Sequence, residues 1–196
     1  MDFFVNGEKL DITLQDEKTV GDVLKAFEIS CQENHLATIG VSIDDKNIPA
    51  EDFESILTLP IEQTSKIDVS VIAEVAIKDN LKQIGNEFSS LIEPLKNIPV
   101  EMQSGKDSVA KQTIIKLSDV MNLFCSLLTW SSLFPETFGA LKVDNENISE
   151  FLSNFSQILN DFKDALENSD SVLIGDLAEY EICPRLESIA KSLGEL

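Results

Sequence analysis

The spacing of apolar residues changes near residue 73 of this chain of 196 residues, and that change constrains the fold more than any other feature. Up to Val71, apart from one helical pattern at Val20–Phe27, apolar side chains recur at every second position, which is the period of a half-buried β-strand. From Ile77 onward they recur at every third or fourth position, which is the period of an amphipathic helix. The sequence therefore predicts an α+β protein with two domains, a strand-containing domain at 1–72 and an all-α bundle of about four helices at 73–196.

The chain begins with a predicted hairpin and a predicted helix. Asn6-Gly7 follows the apolar segment Phe3–Val5, and this dipeptide favours a hairpin because both residues tolerate a positive φ. The loop could be longer than two residues and extend from Asn6 to Lys9. Further on, Thr19 is a plausible N-cap and Asp22 stands three residues later, which predicts a capping box at the start of a helix.

Three further strands are predicted in the first domain. Alternating apolar residues indicate strands at Ile39–Ile43 and Ile67–Val71. A turn is predicted at Asp44–Asn47, and Ile48-Pro49 is interpreted as a short edge strand, where the missing N–H of proline is tolerated. The predicted order is therefore strand, strand, helix, strand, short strand, strand.

Residues 3–72 resemble the ubiquitin-like β-grasp proteins, and most closely the small sulfur-carrier proteins of thiamin and molybdopterin biosynthesis. The resemblance is carried by four segments in order, which are Val5-Asn6-Gly7, Thr19–Leu24, Val41–Pro49 and Lys66–Val71. It implies a β-grasp fold that presents a sheet face or an open edge to a partner.

The sequence departs from that family after the last predicted strand. A sulfur carrier ends there in a free Gly-Gly tail that is activated as an adenylate, whereas this chain reads Ala73-Glu74-Val75 and continues into helices. The chemistry of the family therefore cannot be transferred to this chain.

Four amphipathic segments follow. The first, 77–95, is expected to end or bend near Pro94 and Pro99. The second, 114–130, is apolar nearly all round and is predicted to be the central helix of the bundle. The third, 148–166, has a heptad-like seam, and the fourth, 172–193, should be kinked or split at Pro184.

The fourth segment contains the candidate partner-binding residues, Asp176, Glu179, Tyr180 and Glu181. They form an acidic ledge just before Pro184 that could contact a basic partner. The alternative interpretation is a solvated helix face with Tyr180 half-buried. The surrounding stretch, residues 176–186, resembles uncharacterised bacterial helical proteins, and this resemblance implies no activity.

The sequence predicts no catalytic, cofactor or metal site. His35 is the only histidine, and it is interpreted as a residue at the end of the first helix. Cys125 is predicted to be a core residue, as is Cys183, for which a reactive thiol is the alternative, and Cys31 is expected to pack at a helix end. No phosphate-binding glycine loop or nucleophile elbow is present.

The charge limits the classes of partner. The chain has 35 acidic and 15 basic residues, a formal net charge of −20, and such a surface repels nucleic acid and anionic membranes. Met1–Phe4 lacks the basic start of a signal peptide, and three widely spaced cysteines suit a reducing compartment, so a cytoplasmic location is expected.

These features favour a non-enzymatic adaptor or regulator that binds a protein partner and needs no cofactor. As an alternative role, the helical domain could mediate self-association of the chain through the 148–166 seam. A competing hypothesis is a cytoplasmic chaperone for a secreted or flagellar export client, which should leave the Phe124–Phe138 region or the Phe151–Phe162 seam open, whereas an adaptor should bury both. An enzyme with scattered carboxylates is the third and least favoured hypothesis.

Overall fold

A mixed five-stranded sheet occupies the N-terminal part of the computed structural model, which describes all residues, 1–196. The chain forms two compact units, Met1–Ala76 and Ile77–Leu196. The first unit combines the sheet with one long helix, and helices dominate the second. The predicted α+β class is therefore confirmed.

The strands of the first unit are β1 (Asp2–Val5), β2 (Glu8–Leu10), β3 (Leu36–Ile43), β4 (Lys46–Asn47) and β5 (Lys66–Ala73). Their order across the sheet is β2-β1-β5-β3-β4. The central pair, β1 and β5, is parallel, and every other pair is antiparallel. The parallel pair requires a long connection, which α1, β3 and β4 supply.

Tight turns set the register of both hairpins in this sheet. Asn6 and Gly7 have φ angles of 52° and 81°, and they connect β1 to β2 as a two-residue turn, so the longer loop at Asn6–Lys9 is wrong. Asp44 and Asp45 have φ angles of 48° and 64° and connect β3 to β4 in the same way. Positive φ at both central residues matches the twist of the flanking strands, which explains the close pairing on each side.

Helix α1 (Val20–Glu33) begins at the predicted capping box. The Thr19 hydroxyl accepts a hydrogen bond from the Asp22 N–H at 3.2 Å, and the Asp22 carboxylate accepts one from the Thr19 N–H at 2.9 Å. The helix then packs its apolar side against the sheet. The core of this unit consists of Phe3, Val20, Val23, Leu24, Val41, Ile43, Ile56, Ile67 and Val69.

The edge strand was predicted two residues too late. β4 is Lys46–Asn47, although the N–H of Ile48 still donates to the carbonyl of Val41 at 2.9 Å. A short 3₁₀ turn (Ala50–Asp52), helix α2 (Phe53–Ile56) and a second 3₁₀ turn (Ile61–Gln63) then lead to β5. Pro49 lies just before the first of these turns, where its fixed φ is compatible with the start of a helix.

The second unit contains helices and one small hairpin. Its helices are α3 (Glu74–Gln103, which begins in the first unit), α4 (Asp107–Ser131), α5 (Pro135–Phe138), α6 (Ile148–Glu167), α7 (Ser171–Asp176) and α8 (Cys183–Gly194). Strands β6 (Lys142–Val143) and β7 (Glu146–Asn147) pair across a turn at Asp144-Asn145. An all-α second domain is therefore wrong in this detail, because a hairpin interrupts the helices.

Helix α3 continues through both prolines at which it was expected to end or bend. Each internal proline costs about 3 kcal/mol through a lost hydrogen bond and a clash. Leu91, Leu95 and Ile98 are buried beside them, and each buried side chain of this size contributes about 1.5–3 kcal/mol. Burial along the helix therefore offsets the two prolines.

Helix α4 is not the central helix that its composition predicts. Phe124 and Leu127 are buried, and the Phe124 ring meets that of Phe88 on α3 edge to face at 5.5 Å. Ile115, Leu123 and Trp130, however, are exposed. A helix in the centre of a bundle would bury them, so α4 has one buried face and one face toward solvent.

The predicted seam of α6 is buried at its centre. Phe151, Phe155, Phe162 and Ala165 lie in the core, and Leu152, Ile158 and Leu159 are half-buried beside them.

Packing is also close between α3 and α8, where a Cβ on Gly85 would lie 3.2 Å from the carbonyl oxygen of Ala190. None of the helices combines the length and the apolar character needed to span a membrane.

Candidate functional site

The acidic ledge lies at a distortion between α7 and α8. Residues Leu177–Ile182 form a π-helical segment, in which the N–H of Cys183 donates to the carbonyl of Ala178, five residues earlier. Pro184 explains the change of pitch, because it has no N–H to donate to the carbonyl of Tyr180 and its ring crowds that carbonyl. The predicted split at Pro184 therefore takes the form of a π-turn in which the helical path continues.

The structure places the four predicted ledge residues on this segment and at its start. Asp176, Glu179 and Tyr180 are exposed, and Glu181 is half-buried. Tyr180 is 66% exposed, so the half-buried position expected for it is wrong. Most of the side chain is therefore in solvent.

One end of the ledge is neutralised within the chain. The Arg185 guanidinium lies 2.6 Å from the Glu181 carboxylate and also donates to the Glu181 carbonyl at 2.9 Å. Both contacts span one helical turn and hold the arginine along the helix. The free negative charge of the ledge is therefore that of Asp176 and Glu179 alone.

His35 lies one residue beyond the C-cap of α1, close to the predicted position. Its φ of 54° reverses the chain direction between α1 and β3. Its Nδ1 lies 2.9 Å from a carboxylate oxygen of Glu74, the first residue of α3. The imidazole is largely exposed, the Glu74 side chain is half-buried, and their contact joins the turn after α1 to the start of α3.

The three cysteines are in different environments. Cys31 and Cys183 are buried, as predicted, and burial raises the pKa of Cys183 to about 11. Cys125 is exposed on α4, so the prediction that it belongs to the core is wrong. Its face of α4 is turned to solvent, which the uniformly apolar composition of this helix concealed. No group of three or more histidine, cysteine and acidic residues is arranged to hold a metal ion.

An open groove in the first unit was not predicted. It has a volume of about 820 Å³ and lies between α1, β3 and α2. Its apolar lining includes Leu24, Ile39, Ile48, Phe53 and Leu57, and charged residues Asp22, Lys25 and Glu28 lie along α1. The groove is concave, largely apolar and bordered by a few polar groups, which is the usual form of a binding site.

Two side chains of the groove are exposed for reasons that lie in the backbone. Ile39 is the extra residue of a β-bulge, because Thr38 pairs with Val71 and Gly40 pairs with Ser70. Val41, which pairs with Val69, is buried, whereas Ile39 has no partner on β5 and is 43% exposed. Phe53 begins α2 and is 38% exposed. Its position among Glu51, Asp52 and Glu54 was the one available signal in the sequence, because acidic neighbours on both sides are typical of a surface segment.

The polar residues of the groove are partly engaged in the fold. The Asp22 carboxylate accepts hydrogen bonds from the N–H groups of Lys18 and Thr19, and these bonds hold the pKa of Asp22 below its usual value. The Glu28 carboxylate accepts a hydrogen bond from the Thr38 hydroxyl at 2.9 Å, which joins α1 to β3. These carboxylates therefore border the groove as fixed negative charges.

Comparison with known proteins places the chain in a family. Residues 79–192, more than half of the chain, match the family described as a domain of unknown function, DUF8042. The chain belongs to the DUF8042 family. In this DUF8042 protein, residues 1–73 also match the family described as the TP0873 N-terminal domain.

A relative in Treponema pallidum (strain Nichols), described as an uncharacterized protein, is 22% identical over 193 residues. The match covers 98% of this DUF8042 chain and 96% of the relative. The similarity therefore extends over both units. No solved structure matches the chain.

Proposed function

We propose that this chain is a non-catalytic adaptor or regulator that binds a protein partner through its first unit, and that this unit is a β-grasp domain. The sheet order β2-β1-β5-β3-β4, with β1 and β5 parallel at its centre and α1 packed on one face, supports the β-grasp assignment. In this chain β5 ends at Ala73 and α3 begins at Glu74. Because no free tail follows β5, the proposal concerns binding and not carrier chemistry.

The observation that carries the proposal is the open groove of the first unit. The unit buries a continuous core, yet it leaves Ile39 and Phe53 exposed beside a space of about 820 Å³. An exposed concave apolar surface is costly in water and is typical of a site that a partner covers. The acidic border favours a partner with basic residues there.

The second unit bears on the choice between an adaptor and an export chaperone. Phe124, Phe138, Phe151, Phe155 and Phe162 are all buried, which favours the adaptor. The observation that favours the chaperone is the apolar side of α4. Leu123 and Trp130 are exposed and lie seven residues apart, on the same side of the helix, where a client helix could pack.

An affinity capture with the full-length tagged chain tests the proposal. The chain, its Leu123→Glu variant and a Ser118→Glu control on the exposed side of α4 are incubated with extract of the native cell. Retained proteins are quantified by mass spectrometry and checked for co-elution with the chain in gel filtration.

An adaptor should retain one partner at constant stoichiometry with all three proteins, because Leu123 is remote in sequence from the groove and belongs to the other unit. A chaperone should retain a secreted or filament-forming client that is lost with Leu123→Glu and kept with Ser118→Glu. If no protein co-elutes with any of the three, the binding role is wrong.

A further inference from the structure

The β3 edge of the sheet is open along most of its length. β5 pairs with one side of β3 from Leu36 to Ile43. On the other side, β4 pairs only with Ser42 and Ile43, and the Ile48 N–H reaches Val41. The outward backbone groups of residues 36–40 therefore have no strand beside them.

Apart from the bulge at Ile39, this open edge lacks the features by which proteins usually protect an edge strand. Edges are commonly blunted by charged side chains, by proline or by being very short. The opposite edge, β2, follows this rule, because it has three residues and two of them are Glu8 and Lys9. The open part of β3, by contrast, reads Leu-Ala-Thr-Ile-Gly, with no charged residue and no proline.

The bulge in β3 turns an apolar side chain to the outside. A bulge can protect an edge, but it can also redirect a side chain next to a binding site. Ile39 lines the groove together with Thr38, Gly40 and Val41 of the same strand. Thr38, Ile39 and Gly40 therefore belong both to the free backbone edge and to the apolar groove, so one extended peptide could pair with the edge and place a side chain in the groove.

The charge of the first unit argues against a second copy of this chain as the occupant. Residues 1–76 contain sixteen acidic side chains and five lysines. Glu28 borders the groove, and Glu51, Asp52 and Glu54 surround Phe53, whereas Lys25 is the one cation in its lining. Two copies of such a surface repel each other, and a segment with lysine or arginine is attracted.

We propose that the β3 edge binds an extended segment of a partner protein as an added strand, with an apolar side chain in the groove between α1 and Phe53 and with basic residues beside it. This inference rests on the proposed adaptor function and names its partner chemistry. Main-chain hydrogen bonds to residues 36–40 would supply the pairing, and the groove and its acids would supply the selectivity.

The test uses displayed random peptides, longer than a typical strand of about six residues, selected on the immobilised full-length chain. The same selection is run on Ile39→Glu and on Ile29→Glu. Ile29 is a matched control, because it is an isoleucine of the same unit that is 55% exposed on α1 and does not line this groove. The best peptide is then titrated by fluorescence anisotropy and by hydrogen exchange of the backbone amides.

The expected peptides alternate apolar residues with lysine or arginine, and they slow exchange in residues 36–40. Their Kd should rise by about tenfold or more with Ile39→Glu, which buries a charge in the groove, and should change by less than about twofold with Ile29→Glu. Glu54→Lys is a variant at an exposed site that should keep its fold even if Ile39→Glu does not. This substitution should weaken binding of the same peptide, and added salt should weaken the binding further.

Several results would overturn the inference. They are an absence of enriched peptides, enrichment of acidic or helix-spaced sequences, tighter binding by Glu54→Lys, or a dimer of the chain with protection at residues 36–40. The adaptor proposal is judged separately by the captured native partner. A partner that Ile39→Glu retains unchanged would leave the adaptor role in place and remove the β3 edge as its site.

Discussion

Phe155 provides the sharpest test of the packing in the second unit. It lies near the middle of α6 with 0% of its surface exposed, and its ring is 6.1 Å from that of Phe151. Truncating a buried phenylalanine to alanine costs about 3–5 kcal/mol, because apolar contact is lost and a cavity remains. If the free energy of unfolding falls by about 2 kcal/mol per molar urea, Phe155→Ala should lower the urea midpoint of unfolding by about 2 M.

Phe155→Asp should have a larger effect than Phe155→Ala. It adds the cost of a buried charge without a partner, which is several kcal/mol, to the loss of packing. Since a whole domain is stable by about 5–15 kcal/mol, the second unit of this variant should be unfolded or nearly so.

Fluorescence of the single tryptophan measures both variants, because Trp130 lies on α4 of the second unit. Gln157, two residues from Phe155 and exposed on the same helix, provides matched controls. Gln157→Ala and Gln157→Asp should stay within about 0.5 kcal/mol of the parent chain. If Phe155→Asp unfolds at the same urea concentration as Gln157→Asp, Phe155 is not in a core and the reasoning fails.

Three further predictions concern single residues. Gly21→Ala should destabilise the first unit by about 1–3 kcal/mol, measured by hydrogen exchange of its amides, because the new Cβ would lie 2.6 Å from the carbonyl oxygen of Leu57. The folded-state pKa of Asp22 is lowered, so its contribution to stability is complete above its unfolded pKa of about 3.9 and is lost as pH falls through the folded value. Asp22→Asn should therefore reduce the loss of stability in acid. Iodoacetamide should label Cys125 in the native chain, and it should label Cys183 only after unfolding, as mass spectrometry of peptides would show.

Each of these predictions has a result that contradicts it. Gly194→Ala is the control for Gly21→Ala, because no atom outside its own stretch of helix lies within 4 Å of its added Cβ, and equal effects of the two substitutions would rule out a close approach at Gly21. If Asp22→Asn leaves the pH dependence of stability in acid unchanged, the capping hydrogen bonds do not depend on the charge of Asp22. Rapid native labelling of Cys183 would place its thiol at the surface.

Local sequence signals predicted much of the first unit. Asn6-Gly7 gave the first hairpin, and Thr19 with Asp22 gave the start of α1, because the backbone geometry of a turn or a cap depends on a few adjacent residues. The change of apolar period near residue 73 separated the strands from the helices for the same reason, since each period reflects local geometry.

Features that depend on tertiary contacts were missed. The bulge at Ile39 depends on the pairing of β3 with β5, and an apolar alternation that continues through it gives no sign of the extra residue. The composition of α4 likewise could not show which face is buried, because Leu123 and Leu127 are identical side chains in opposite environments. The hairpin β6–β7 has only two residues in each strand, too few for a period to be recognised.

The groove is a stronger candidate for a partner site than the acidic ledge. The ledge offers charge without a concave apolar surface, and Arg185 already pairs with Glu181, so a basic partner would meet two free carboxylates in water. Exposed ion pairs of this kind contribute at most about 1 kcal/mol each. At the groove, a partner would bury Ile39 and Phe53, pair with an open strand edge and approach the nearby carboxylates from an apolar surface. Apolar burial and backbone pairing supply affinity there, and the acids supply selectivity, so charge-reversal at the ledge should affect partner binding less than Ile39→Glu.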